Sequence, residues 1–256
     1  MESSNAKHAC LFLADYAALL YGCGATCARI KKNVDRIVSV WNLNLELMIM
    51  PGSIHLTHFD EVSGLSQAYI KKAPHMGISF YKNTQLSKLS WSIADRLVTQ
   101  EEAKREFGRI ISAPNTNGRL VLLLTSLANM SFCRLFGGDA CAMATVFLAT
   151  LAGFRFKQML LDEHIDTKAV FVLCAFFSSV IGSAGYVFHF GDTPDVSLGT
   201  SVLYLIPGIP YINSICDMIQ GQYLVSFCRF MDAVTLTFCL SVGLAAGILL
   251  MNLRMF

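Results

Sequence analysis

Apolar residues fall into two patterns along this chain. After residue 119 they run in long blocks, and before it they recur at short helical or strand spacing. A helix crossing about 30 Å of hydrocarbon needs roughly twenty residues at 1.5 Å each. Five blocks are predicted to span: 120–136, 140–154, 169–188, 198–216 and 233–252. In the first half, residues 8–40 predict two helices broken near Gly22 and Gly24, with Leu11, Ala14, Ala18 and Tyr21 as the apolar stripe. Residues 44–57 read as extended chain turned by Pro51-Gly52, with weaker strands at 68–70 and 77–81. Thr99-Gln-Glu-Glu102 is a capping box that opens a helix to about residue 111, and 113–118 is a linker. The expected fold is therefore an α-helical multi-pass membrane protein with five transmembrane helices (117–256) behind an N-terminal cytoplasmic α+β domain (1–116).

Composition supports that division. The chain is 54% hydrophobic and 15% charged, where a soluble domain carries about 25% charged residues. Residues 1–119 hold fourteen of the twenty Lys and Arg, leaving six for the other 137 residues. Arg119, Arg155, Lys157, Lys168 and Arg229 fall on one side of the predicted spans and the 189–196 loop has no Lys or Arg, so the N-terminus is expected in the cytoplasm and the C-terminus outside a cell (inner) membrane. Arg134 and Arg254 break the pattern and can snorkel to the outer interface. The apolar run 9–25 lacks a basic region before it and contains Asp15, so it reads as neither signal peptide nor span. Nine scattered cysteines without a CxxC argue against a disulfide framework. A net charge of +2 without a basic, aromatic-laced tract implies no nucleic-acid partner.

The candidate chemistry lies in the fourth span, LIPGIPYINSICDMIQG. Pro207, Gly208 and Pro210 break the helix, and lipid tolerates such breaks only where protein or a water-filled cavity satisfies the backbone. Broken spans of this kind mark transporter binding sites. A half-helix beginning near Pro210 would aim backbone amides at a carboxylate and put Asn213 and Asp217 on one face at i and i+4. Pro207, Gly208, Pro210 and Asn213 are the substrate-binding candidates. Asp217, with Asp139 beyond Gly137-Gly138, is the candidate for ion coupling. Asp217 either lines the path or marks the cytoplasmic end of the span, and interface capping is the default for Asp139 and Asp232. Ser178, Ser179, Ser183, Thr200 and Ser201 line a path or simply pack. Gly243-x-x-x-Gly247 and Gly182-x-x-Gly185 let helices approach closely, within the chain or between subunits.

His55 and His58, followed by Asp60 and Glu61, are poorly spaced for a shared metal because i and i+3 point to opposite faces of a strand. Lys31-Lys32 and Lys71-Lys72 read as solvated surface before headgroup contacts. There is no GxSxG, HExxH or phosphate loop, so neither an enzyme nor an ATP-driven pump is expected, and no cofactor.

The motif Pro207-Gly-x-Pro210-x-x-Asn213-x-x-x-Asp217-x-x-x-Gly221, with Gly137-Gly-Asp139 and Gly24-Ala-Thr26-x-x-Arg29-Ile30, resembles the threonine/serine exporter (ThrE) family, in its split form, over nearly the whole chain. That resemblance implies a cytoplasmic domain followed by five spans and a second small membrane subunit similar to YjjB. It implies export of threonine and serine, or of succinate by the split pair, and supports the span-four residues as the site. Asp232 departs from the apolar residues of the family, and no catalytic set supports the hydrolase likeness suggested for the soluble domain. The reading is a secondary exporter subunit for small carboxylate-bearing metabolites, possible as a homo-oligomer. A membrane-anchored enzyme and a regulatory subunit are the rivals.

Overall fold

A computed structural model describes residues 2–59, 64–74, 76–114 and 116–252, with side chains from residue 6 onward. In chain order the elements are α1 (Glu2–Gly22), α2 (Cys27–Trp41), β1 (Leu45–Met50), β2 (Ser53–Phe59), β3 (Ser66–Lys72), α3 (Phe80–Ala94), α4 (Gln100–Ser112), α5 (Gly118–Leu135), α6 (Ala140–Asp162), α7 (Thr167–Gly182), α8 (Ala184–Phe188), α9 (Pro194–Thr200), a 3-10 turn (Leu203–Leu205), α10 (Gly208–Ile219) and α11 (Tyr223–Leu250). They form two compact units, Met1–Pro114 with Ile209–Phe230, and Asn115–Gly208 with Met231–Phe256.

In the first unit the three strands form an antiparallel sheet in the order β1-β2-β3. Pro51-Gly52 turns β1 into β2 with Met50 opposite Ser53, and Gly52 takes the positive φ of 74° that the turn requires. Ile54 and Leu56 alternate inward from β2. They pack with Leu13, Tyr16, Leu20, Ile30, Val34, Ile37, Leu86, Ile93 and Phe107. The expected stripe on α1 is too narrow: residues 12–20 are buried except Asp15, while Leu11 is 42% exposed. Helix α1 runs through the core, so it is apolar nearly all round and a single stripe does not mark its buried face. Its Tyr16 hydroxyl donates to the Leu86 carbonyl at 2.8 Å, and burial pushes the phenol well above its ordinary pKa.

The capping box is present at α4: Thr99 accepts from the Glu102 amide, and the Glu102 carboxylate accepts from the Thr99 amide. The expected strand at 77–81 is absent. Ser79 instead accepts from the Lys82 amide and caps α3. Leu86, Leu89 and Ile93 at helical spacing decide the local structure.

In the second unit α6 packs between α5 and α7, and α9 packs against all three. A side chain at Gly243 would strike the Val172 carbonyl, and one at Gly247 would strike Ser179. Gly182 likewise accommodates Ser201. Both glycine motifs therefore serve close packing inside the chain. Among the described residues, three helices are long and apolar enough to cross a membrane: Ala140–Asp162, Thr167–Phe188 and Tyr223–Leu250. The interrupted pair Pro194–Leu205 and Gly208–Ile219 makes a fourth if it is one span. Helix α6 runs on to Asp162, so Arg155 and Lys157, read as loop charges, lie on its final turns. The apolar block ends before the helix does, because polar residues continue a helix once it leaves hydrocarbon.

Candidate functional site

The fourth apolar block is interrupted as its prolines and glycine require. After the 3-10 turn, Ile206 and Pro207 are non-helical, and α10 resumes at Gly208 with Pro210 in its first turn. In that first turn the Gly208 N–H donates to the Ile206 carbonyl at 2.8 Å, and Pro210 has no N–H to offer. Pro207 is buried, and Gly208 and Pro210 are half-buried. A side chain built at Gly208 would meet nothing within 4 Å. Pro207 and Gly208 belong to the second compact unit, and Pro210, Asn213 and Asp217 to the first.

Asn213 and Asp217 do share one face of α10, and both reach the turn between α1 and α2. Asn213 donates from Nδ2 to the Gly24 carbonyl at 2.8 Å. Asp217, completely buried, accepts through Oδ1 from the Cys27 amide at 2.8 Å. Cys27 opens α2, so this carboxylate sits at the positive end of another helix and satisfies one of its orphan donors. Oδ2 accepts from Arg229 Nη1 at 2.6 Å in a nearly buried ion pair. Arg229 Nη2 donates to the Ala25 carbonyl at 2.9 Å, and the guanidinium lies over the Tyr21 ring at 4.7 Å. Burial, with the Asp217 charge adding to it, pushes the Cys27 thiol up to about 12, so it stays protonated.

Helices α10 and α11 are clasped beside this pair. Ser214 donates to the Ser226 carbonyl at 2.9 Å, and Ser226 donates back to the Ser214 carbonyl at 2.7 Å. Gly221, at φ 77°, turns one helix into the other. Two segments some 190 residues apart, Gly24–Cys27 and Asn213–Asp217, are thus direct partners. Arg229 completes the arrangement and escaped the sequence reading, which used it only as a topological charge. The signal was present: it is the one Lys or Arg between residues 169 and 253, twelve positions after Asp217.

Asp139 stands apart, in the second unit. It caps α6 by accepting from the Ala142 amide at 2.9 Å through Oδ1, which also accepts from the Thr193 hydroxyl. Oδ2 accepts from the Asp192 amide at 3.1 Å. These donors, the Ala142 amide foremost, hold its carboxyl below the usual carboxylate range. A side chain at Gly191 would crowd this carboxylate. Asp232 is exposed.

Ser178 and Thr200, named from the sequence, belong to hydrogen-bonded groups whose other members it did not single out: Asn129, Thr150 and Tyr204. Asn129 is buried and donates to Thr150 Oγ1 at 2.6 Å and to the Thr200 carbonyl at 3.1 Å. Tyr204 and Ser178 share a hydrogen bond at 2.8 Å beside Gly153. Ser179, Ser183 and Ser201 turn back onto carbonyls of their own helices. In β2, His55 contacts the Ser53 hydroxyl at 3.1 Å, and Asp60 and Glu61 lie outside the described residues.

The profile of the family described as "Putative threonine/serine exporter" matches residues 11–251. The chain is 27% identical over 213 residues to the "Probable succinate transporter subunit YjjP" of Escherichia coli K12, covering 82% of each chain. It is 24% identical over 236 residues to the protein of the same description from Klebsiella aerogenes, covering 90% of this chain and 89% of that one. No solved structure matches.

Proposed function

Because the chain belongs to the threonine/serine exporter family, we propose that it is one subunit of a secondary exporter for small carboxylate-bearing metabolites, threonine and serine or succinate. A second small membrane subunit, resembling YjjB, would complete the path; both bacterial relatives are described as subunits. In this reading α5 is the first of five spans, the N-terminus is cytoplasmic and the C-terminus is outside.

The observation that carries the proposal is the interrupted segment Pro194–Ile219, whose lower half is tied by Asn213 and Asp217 to the α1–α2 turn. The N-terminal end of α10, approachable because position 208 has no side chain, receives the substrate carboxylate at its positive helix end. Pro207 and Pro210 hold the break open. Asn213 and Asp217 link the state of that half-helix to the soluble elements, so rocking of one moves the other. Opening the Asp217–Arg229 pair frees a carboxylate for a proton or cation, which makes Asp217 the first coupling group. Asp139, saturated with donors, serves as a clamp at the start of α6 instead.

Reconstitution of this chain with its partner subunit in liposomes, with labelled threonine, serine and succinate, tests the assignment. Flux of at least one of the three above protein-free vesicles, increased by an ion gradient, is the expected result. Background flux of all three, with and without the gradient, contradicts it.

A further inference from the structure

Helices α2 and α3 enclose an open groove of about 530 Å³ that the exporter reading leaves without a role. Its volume lies in the range of small-molecule sites, about 300–1,000 Å³. Arg29, Lys32 and Arg36 line one wall at i, i+3 and i+7, so all three cations share one face of α2. No carboxylate lines the groove, and none of the three is ion-paired among the described residues. Three like charges on one face repel one another unless an anion joins them.

The groove is built rather than incidental. Its floor is a ladder of hydrogen bonds, each joining residues 54 apart: Arg29 Nη1 to Asn83 Oδ1 at 3.2 Å, Asn33 Nδ2 to Ser87 Oγ at 3.1 Å, and Arg36 Nη1 to Ser90 Oγ at 2.6 Å. Asn33 is buried, and its carbonyl oxygen accepts from Arg36 Nη1 at 3.1 Å. The Arg36 guanidinium also stacks on the Trp91 ring at 3.7 Å. Both arginines are thus fixed through Nη1, leaving Nη2 of each to a ligand. The constant offset makes the two helices parallel, so their positive ends lie at the same end of the groove, where Thr26 caps α2.

We propose that this groove is a binding site for a compact organic or inorganic dianion, a dicarboxylate or a phosphate group, gripped by Arg29 and Arg36 with Lys32 between them. The inference goes beyond the exporter reading and places a ligand on the soluble elements, away from the interrupted segment.

Trp91 supplies the readout. The chain has two tryptophans, and Trp41 packs on Phe12 in the core, so Trp41→Phe leaves Trp91 alone to report. The full chain carrying Trp41→Phe, in phospholipid-free detergent, is titrated with succinate, inorganic phosphate and threonine. A saturable change in Trp91 emission with succinate or with phosphate is expected, weakening as salt rises. Succinate alone identifies a dicarboxylate site, and phosphate alone a phosphate site. Threonine, a zwitterion with one carboxylate, should need at least about tenfold more for the same change. Arg29→Gln with Lys32→Gln should raise the half-saturating concentration at least about tenfold, since each substitution removes a charged donor to the ligand. Lys32→Glu, at an exposed position, should weaken binding by itself. No saturable response to either dianion, or an unchanged response in these variants, overturns the proposal. Binding is measured without transport, so this site and the exporter reading fail separately.

Discussion

Asp139 and Asp217 are both carboxylates in the apolar half of the sequence, and their surroundings give them different chemistry. Asp139 accepts three hydrogen bonds at the start of α6, from the Ala142 and Asp192 amides and the Thr193 hydroxyl. Its pKa is lowered in the fold. A depressed carboxyl contributes stability above its unfolded pKa, about 3.9, and loses it as pH falls through the lower folded value. Between pH 5 and 8 the group stays ionised in both states, so its contribution is flat there. Asp139→Asn should therefore lower the thermal unfolding midpoint by the same amount at pH 5 and at pH 8, with the difference shrinking only below about pH 4. A difference that changed between pH 5 and 8 would return Asp139 to the list of proton-coupling groups. Asp217 is held otherwise, by a cation and one amide, with no solvent around it.

At the level of elements, that pair joins α10 and α11 to the α1–α2 turn. A buried ion pair adds little net stability, yet removing one partner strands the other and costs about 3–5 kcal/mol. Asp217→Asn and Arg229→Gln should each lower stability by that order in thermal or denaturant unfolding. The double variant should be less destabilised than the sum, because neither charge is then stranded. Additive losses would remove the ion pair from this account.

Sequence pattern revealed most of the elements for a definite reason. The hairpin at Pro51-Gly52, the capping box at Thr99 and the break at Pro207-Gly208 are local devices whose residues allow few other conformations. Helix α3 was hidden because Asn83, Thr84, Ser87 and Ser90 dilute its apolar stripe, and the buried polar residues among them exist to meet α2. The face of α10 was legible from the i,i+4 spacing of Asn213 and Asp217. What that face touches was not, since Gly24, Ala25 and Cys27 take part through backbone atoms that any residue type would supply.

For the molecule as a whole, the chain leaves its first compact unit at Pro114 and returns to it at Ile209. The return falls at the interruption, one residue after Gly208. A sequence boundary at residue 116 does not contain that return, because residues 213, 217 and 229 lie within or between the apolar blocks of the second half. Exporter function in this account requires the start of α10 to remain open to a carboxylate, and Gly208→Val tests that requirement most directly. A Cβ at this position meets open space, so the variant should keep its unfolding midpoint within a few degrees of the parent, while the branched side chain stands at the positive end of α10. In liposomes holding this chain and its partner, counterflow of the labelled carboxylate that the parent complex carries should fall at least about tenfold, as a loss of about 1.4 kcal/mol or more in binding requires. Parental counterflow in a folded Gly208→Val complex would contradict a carboxylate site at the interrupted helix.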